Sequence, residues 1–169
     1  MPSPTHIIVH TYYCYYPDYE REGKILKFYM EQLMFKISHK DVFIPINQGA
    51  RKDWGYAEDY VEGMWMMLNY KEPDDFVLGT GEIHTVREFT KEAFKVAGIP
   101  IRWEGDGINE RGVTEEGKRG VRVKKELYRP LEAENFLADY SKAERKLRWK
   151  PRTKFAELVK LMVDNDLKR

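Results

Sequence analysis

The pair Arg51–Lys52 is the clearest group of residues in this sequence that could do chemistry. These two cations stand directly before Asp-Trp-Gly and just ahead of a predicted helix. A helix N-terminus presents free N–H groups and a partial positive charge, so two cations beside it form a candidate phosphate site. The alternative is that both side chains are only solvated and that Asp53 caps the helix by accepting from its first-turn N–H groups.

A second candidate is the pair Arg129 and Glu132, which are separated by Pro130 and one further residue. An arginine fork binds a phosphate or ribose hydroxyls, and a carboxylate accepts from hydroxyls or from the edge of a guanine. The alternative is an exposed ion pair, which contributes under about 1 kcal/mol to stability.

Other motifs that would carry chemistry are incomplete. The sequence holds no G-x-G-x-x-G and no P-loop, and the glycine turn at residues 79–81 lacks a third glycine. His6 and His10 would share one face of a strand without a third ligand, and the remaining histidines, His39 and His84, have no metal-site spacing. We therefore predict no metal site.

Helices and strands alternate along the chain, which predicts an α/β or α+β fold. The clearest helix opens near Trp54 with a continuous apolar face at helical spacing, formed by Ala57, Tyr60, Val61, Met64, Trp65 and Leu68. The next helix carries a capping box, Thr85 with Glu88, and stops at Gly98.

The other elements are predicted from shorter patterns. A second capping box, Ser141 with Glu144, starts a short helix, and Thr153 begins the last one, whose inward residues are Phe155, Leu158, Val159, Met162 and Val163. The loop from Gly105 to Gly120 is expected to be the most mobile part of the chain. Remaining predictions are a helix over 24–37, an edge strand or an extended segment over 41–46, and strands over 5–16, 74–79, 99–105 and 121–127.

The totals exclude several classes of protein. A net charge of +1 is a poor footprint for nucleic-acid binding, in spite of the basic strand near Lys124. The single cysteine, Cys14, excludes an internal disulfide and suits a reducing compartment. No apolar run approaches the roughly 18 residues that span a bilayer, and the first residues lack a secretion signal. We therefore expect a cytoplasmic protein with no membrane or nucleic-acid partner.

Four segments together resemble one family, the GDP-mannose 4,6-dehydratases of the extended short-chain dehydrogenase/reductase group. They are RKDWGYAEDYVEGMWMML, PDDFVLGTGEIHTVREFTKEAF, YRPLEAENFLAD and SKAERKLRWKP, and the resemblance runs from about Asn47 to Leu167. It implies the C-terminal half of a Rossmann-like α/β fold with a small substrate lobe, a GDP-mannose substrate, NADP as cofactor, and a dimer or tetramer. It divides the chain into a divergent remnant of the cofactor domain over 1–46 and a nucleotide-sugar-binding region over 47–169.

The residues that carry over from the family all belong to substrate binding. The family's basic position before Asp-Trp-Gly, usually an arginine, is Lys52 here and is preceded by Arg51, so the charge is kept but the fork is lost at that position. The family's Arg-Pro-x-Glu, which holds the GDP moiety, matches Arg129 and Glu132. Asn47 matches a position near the substrate. No catalytic residue carries over.

The family's catalytic groups have no counterpart in these 169 residues, because no tyrosine is followed four residues later by lysine and no glycine-rich cofactor loop is present. The family turn that contacts NADP aligns with Tyr13 to Tyr19, where Asp18 would repel a 2′-phosphate. We therefore expect a truncated or degenerate homologue that keeps GDP-sugar binding without NADP and without activity. The alternative is a non-catalytic scaffold or subunit that pairs with another copy or with a full-length homologue, through the aromatic-rich start as an exposed surface.

Overall fold

The structure is a computed structural model that describes residues 14–15, 42–44, 51–115, 119–123 and 137–167. Within these ranges the helices are α1 (Ala57–Leu68), α2 (Val86–Val96), α3 (Ser141–Leu147) and α4 (Phe155–Leu167), with a 3-10 turn at Gly107–Asn109. The strands are β1 (Cys14–Tyr15), β2 (Val42–Ile44), β3 (Arg51–Lys52), β4 (Gly55–Tyr56), β5 (His84–Thr85), β6 (Ile101–Glu104), β7 (Arg111–Thr114) and β8 (Arg119–Val123). The predicted helix over 24–37 and most of the strand over 5–16 lie outside the described residues.

The described strands form one mixed sheet and two short ribbons. The sheet has the order β2-β8-β7-β6, with β2 parallel to β8 and the other pairs antiparallel. Strand β1 pairs in parallel with β4, and β3 pairs antiparallel with β5. Helices and strands of both pairing types therefore share one unit, which confirms the α/β class, and β2 lies at the edge of the described sheet as predicted.

The segment from Gly105 to Gly120, predicted as a loop, contains strand β7, so this prediction was wrong. The chain reverses at Gly105 and Gly107, where φ is 76° and 53°, and β7 then pairs with β6 and β8. At Gly112 a Cβ would lie 2.8 Å from the Ile101 Cδ1 atom, so the absence of a side chain lets the strand pack closely. The sequence pattern missed β7 because only one of its four residues is a large apolar one.

Two hydrophobic clusters hold the helices. The larger lies between α2, α4 and the sheet, and its members include Trp54, Phe89, Phe94, Leu158, Val159, Met162 and Val163. The four inward aliphatic residues predicted for α4 are all buried, which confirms the register of that helix. The smaller cluster joins α1 and α3 through Tyr60, Phe76, Leu78, Ala143 and Trp149.

Helix α1 begins at Ala57, later than predicted, and only part of its predicted apolar face is buried. Its buried side is centred on Tyr60 and Gly63, because a Cβ at Gly63 would lie 2.7 Å from the Leu78 Cδ1 atom and glycine allows this close approach. The remaining stripe is exposed, at Val61 by 54%, Trp65 by 64% and Leu68 by 71%. The i, i+3, i+4 pattern identified the apolar residues of α1 but did not determine which side of the helix faces the core.

Helix α2 has the ends that the sequence predicts. The Thr85 hydroxyl accepts from the Glu88 N–H at 3.1 Å, and the Glu88 carboxylate accepts from the Thr85 N–H at 2.7 Å, which is the complete capping box. The chain leaves the helix at Gly98 with φ of 75°, a conformation that glycine adopts without steric cost.

Helix α3 starts at Ser141, but the predicted Ser141–Glu144 box is not formed. Instead the Asp139 carboxylate accepts from the Ser141 N–H at 2.9 Å. On its outer side, Lys142 and Lys146 bind the two oxygens of Asp74 at 2.5 and 2.7 Å and hold the pKa of that carboxyl well below its usual range. The Asp139 carboxylate, instead of the Ser141 hydroxyl, is therefore the side-chain acceptor at the start of α3.

Residues 74–79, predicted as a strand, belong to none of the strands that the structure describes. Their side chains nevertheless alternate, since Phe76 and Leu78 are buried and Val77 is exposed. The segment therefore has the alternating burial of a strand without a hydrogen-bonded ladder among the described residues.

Asp59 ties helix α1 to the turn between α3 and α4. Its side chain is almost fully buried, and the Oδ2 atom accepts from the backbone N–H groups of Arg152 and Thr153 at 3.1 and 2.9 Å. Its backbone oxygen accepts from the Trp149 indole N–H at 2.7 Å. These bonds span 90 residues and more, so the buried acid is a tertiary link between two parts of the chain.

Replacing Asp59 is expected to weaken this link. Asp59→Ala leaves two backbone donors without an acceptor and should lower the free energy of unfolding by about 2–3 kcal/mol, measured by urea denaturation. The matched control is Glu58→Ala, which removes an exposed acid from the same turn and should cost less than about 1 kcal/mol. Equal losses in the two variants would show that Asp59 acts only through the helix dipole.

Candidate functional site

The basic pair Arg51–Lys52 forms strand β3, and its neighbour is β5 at the start of helix α2. The antiparallel register places Arg51 opposite Thr85 and Lys52 opposite His84. Directly opposed residues have Cβ atoms about 4.5–5.5 Å apart, so these side chains are close neighbours. That the pair serves the N-terminus of the helix after Trp54 stays a prediction, and the structure adds the start of α2 as a second helix end beside it. The ribbon β3–β5 leads into α2, whereas the first turn of α1 carries two acids.

Asp53 follows the basic pair, and it is buried instead of capping a helix. Its carboxylate accepts from the Thr80 N–H at 2.9 Å, from the Thr80 hydroxyl at 2.5 Å and from the Gly81 N–H at 3.2 Å. The N-cap position of α1 is Tyr56, and no side chain caps that helix. The prediction of Asp53 as an N-cap is therefore wrong, because α1 begins four residues later and the glycine turn supplies three donors to the Asp53 carboxylate.

The glycine turn at residues 79–81 has a structural explanation. A Cβ at Gly79 would lie 2.1 Å from the Ala138 Cβ atom and 3.0 Å from an Asp53 oxygen. Gly81 has φ of 69°, which favours glycine, and its N–H faces Asp53. Both glycines are therefore required by packing and by the Asp53 bonds, without reference to a ligand.

His84 is enclosed by groups from several elements. Its ring stacks on Phe155 at the start of α4, with centroids 3.7 Å apart. The Nε2 atom lies 3.7 Å from a Glu82 oxygen, and the Nδ1 atom lies 3.7 Å from a Glu88 oxygen. The sequence analysis gave His84 no role because it lacks metal-site spacing, and its ring partner, 71 residues away, leaves no signal in the local sequence.

The two carboxylates beside His84 are held in their charged forms. The hydrogen bond from Lys154, at 2.7 Å, is the main reason that the pKa of Glu82 is lowered, and His84 contributes. The pKa of Glu88 is lowered chiefly by the Thr85 N–H bond, with smaller contributions from His84 and Arg51. Positive and negative groups therefore alternate across this surface, with Arg51 exposed at its rim.

The ribbon can attract an anion, because its cations lie beside the first turn of α2. Two donors of that turn are used by the capping box, but the N–H groups of Val86 and Arg87 have no partner within the helix. Among the described residues, no three histidine, cysteine or acidic side chains are placed to hold a metal ion. No helix in those ranges is long and apolar enough to cross a membrane.

Several predicted residues cannot be placed. Asn47, Arg129 and Glu132 lie outside the described residues, and so does most of the Tyr13–Tyr19 turn. In the sequence, Arg129 and Glu132 lie between the end of β8 and Leu137. The residue after Leu137 is Ala138, which contacts Gly79. Whether they meet Arg51 and Lys52, and whether the domain boundary lies at residue 46, stay predictions.

Comparison with known proteins identifies one family over most of the chain. The sequence profile described as "GDP-mannose 4,6 dehydratase" matches residues 15–162. The GDP-mannose 4,6 dehydratase of Cricetulus griseus is 46% identical over 144 residues, which are 85% of this chain and 37% of that protein. The protein of that name from Homo sapiens gives the same figures, and the one from Sinorhizobium fredii is 43% identical over 122 residues and matched over 35% of its length. The chain thus spans little more than a third of these relatives.

Solved structures show the same fold at lower identity. RMD from Pseudomonas aeruginosa, complexed with NADPH, superposes with a TM-score of 0.61 at 10% identity, over 83% of this chain and 41% of that one. A UDP-glucose 4-epimerase from Bifidobacterium longum, with NAD+ and UDP, gives 0.61 at 20% identity, over 83% and 38%. The described α/β unit is therefore the fold of part of these longer proteins.

The packing of the glycine turn can be tested by a paired substitution. Gly79→Ala places a methyl group against Ala138 and should lower the free energy of unfolding by about 1–3 kcal/mol. Adding Ala138→Gly should recover most of that loss, and Ala138→Gly alone is the control, all measured by chemical denaturation. A double variant no more stable than Gly79→Ala would contradict the proposed contact.

Proposed function

Because the chain belongs to the GDP-mannose 4,6-dehydratase family, we propose that it binds GDP-mannose or a related GDP-sugar. The observation that supports this proposal most directly is the ribbon β3–β5, which sets Arg51 and Lys52 beside the start of α2. Two cations beside a helix N-terminus suit a diphosphate, which carries two negative charges over a short span.

The other contacts of the ligand come from the family resemblance. Arg129 would bind the GDP moiety with its fork, Glu132 would accept from hydroxyls or from the guanine edge, and Asn47 would lie near the sugar. The buried Asp53 and Asp59 hold the scaffold and do not face the ligand. In this proposal the ligand bridges two stretches of chain that are 78 residues apart at Arg51 and Arg129.

We propose further that these 169 residues alone do not carry out the dehydration that gives the family its name. Hydride chemistry requires a bound nicotinamide cofactor, and loss of water requires a positioned acid and base. The family's Tyr-x-x-x-Lys does not occur in the sequence, and Asp18 stands where the family places a cation for NADP. NADP is therefore the family's cofactor, and this chain is expected not to bind it in the family's way.

Thermal and chemical stability give a direct test of ligand binding. GDP-mannose at a hundredfold excess over its Kd should raise the free energy of unfolding by about 2.7 kcal/mol, whereas NADP should not. Removing two charge-assisted contacts in the variant with Arg51→Ala and Lys52→Ala should weaken binding by at least about tenfold. The control is Lys91→Ala, an exposed cation on α2 whose loss should leave affinity unchanged.

No stabilisation by GDP-mannose or GDP would refute the binding proposal. A dehydrated sugar product, formed by the purified chain with NADP and GDP-mannose, would refute the proposed lack of activity. The two results are separate, because binding is measured without cofactor and turnover is measured with it.

A specific observation favours a second candidate, a non-catalytic subunit that pairs with a copy of itself or with a full-length homologue. The stripe Val61, Trp65 and Leu68 on α1 is more than half exposed in each residue. Contiguous apolar surface of this kind often marks a protein interface. The acids Glu58 and Glu72 on its flanks are exposed as well, so a partner with basic residues around an apolar centre would suit it.

Light scattering after size-exclusion chromatography tests this alternative. The chain should form a complex with the full-length human relative or with itself, and Trp65→Glu should abolish it because a charge in an apolar interface is costly to bury. Ile108→Glu is the control, since it introduces the same charge at an exposed apolar residue on a different turn. A chain that stays monomeric and forms no complex with the homologue would rule out the subunit proposal.

A further inference from the structure

His84 occupies the point where the ribbon, helix α2 and helix α4 meet. It lies opposite Lys52 in the ladder, and its ring is stacked on Phe155. Each ring nitrogen is 3.7 Å from a different carboxylate, Nε2 from Glu82 and Nδ1 from Glu88. The side chain is 26% exposed, while its Nε2 atom is buried and has no hydrogen-bond partner among the described residues.

The charged groups around His84 nearly balance. Among the described residues they are Arg51 and Lys52 on β3, Glu82 ahead of β5, Glu88 on α2 and Lys154 ahead of α4. These three cations and two carboxylates sum to a charge of +1 when the histidine is neutral. Protonation of His84 raises it to +2, so one proton doubles the local positive charge.

The carboxylates make the two forms of the ring unequal. In the neutral ring one nitrogen carries no hydrogen, whereas in the protonated ring both nitrogens do. Each nitrogen lies 3.7 Å from a carboxylate oxygen, so the protonated form is the one that the two acids attract. Protonated His84 therefore draws on the negative charge of Glu88, which otherwise acts on Arg51.

We propose that His84 is a positioning residue of the ribbon, and that its protonation strengthens the binding of a diphosphate group by Arg51 and Lys52. The inference rests on the proposed GDP-sugar binding at the same ribbon. Histidine is the side chain whose charge changes near neutral pH, so affinity becomes dependent on pH in that range. The direction is fixed by charge, because an anion binds better to the more positive form of the site.

The test is a titration of GDP-mannose into the whole chain by calorimetry at about pH 5.5 and about pH 8, which span the usual histidine range. GDP-mannose is the probe because both ends of its diphosphate are esterified, so its own charge is constant between these values. The wild-type protein should bind roughly three- to tenfold more tightly at the lower pH. This is the effect expected of one added positive charge whose attraction for the diphosphate is partly screened by salt. His84→Asn should bind with nearly the same Kd at both.

The other histidines, His6, His10 and His39, are present in both proteins, so any pH dependence that they cause is common to the pair. An equal pH dependence in His84→Asn and wild type, or no pH dependence in wild type, overturns the inference while the proposed binding stands. No binding by wild type at either pH refutes the proposed function, and the inference with it.

A second measurement holds if His84→Asn does not fold. In wild type, saturating GDP-mannose should shift the NMR titration midpoint of the His84 ring upward, because coupling between proton and ligand is reciprocal. A midpoint that the ligand does not move would overturn the inference, since a purely structural histidine would behave in that way.

Discussion

A buried carboxylate, Asp53, is the constraint on which the arrangement of the candidate site depends. It accepts three hydrogen bonds from Thr80 and Gly81, 27 and 28 residues further along the chain. A buried ionised group is tolerated only when it is paired or hydrogen-bonded, so the segment after β3 and the glycine turn before β5 must stay together. With both held, β3 and β5 lie side by side, and the cations of one strand face the histidine of the other.

Asp59 makes a similar link from the first turn of helix α1. It accepts from the chain at Arg152 and Thr153 and so fixes the turn that leads into α4. Phe155 at the start of α4 is the residue on which His84 stacks. Both buried acids therefore help to hold the segments that surround His84.

Local sequence patterns predicted local structure well. The box of Thr85 and Glu88 and the stop at Gly98 involve residues within one or two turns, and both are found. Patterns failed where a more distant partner competes. Asp53 stands in the sequence where an N-cap is expected, yet its carboxylate accepts from the glycine turn. At the start of α3, Asp139 instead of Ser141 supplies the side-chain acceptor. For the candidate site, the sequence predicted Arg51 and Lys52 but not their pairing with β5 at the start of α2, and it set His84 aside.

The sequence by itself determined the family, the alternation of helices and strands, the inward residues of α4 and the presence of a basic pair, because each depends on residue type and short spacing. Only the tertiary structure decided that the pair lies beside β5, that Asp53 is buried and that one side of α1 is exposed. Those outcomes depend on which distant groups bond to an available donor or acceptor or cover an apolar surface. The free energy of such a distant contact is comparable to that of a local one. The spacing of residues along the chain does not reveal which of these partners is bound.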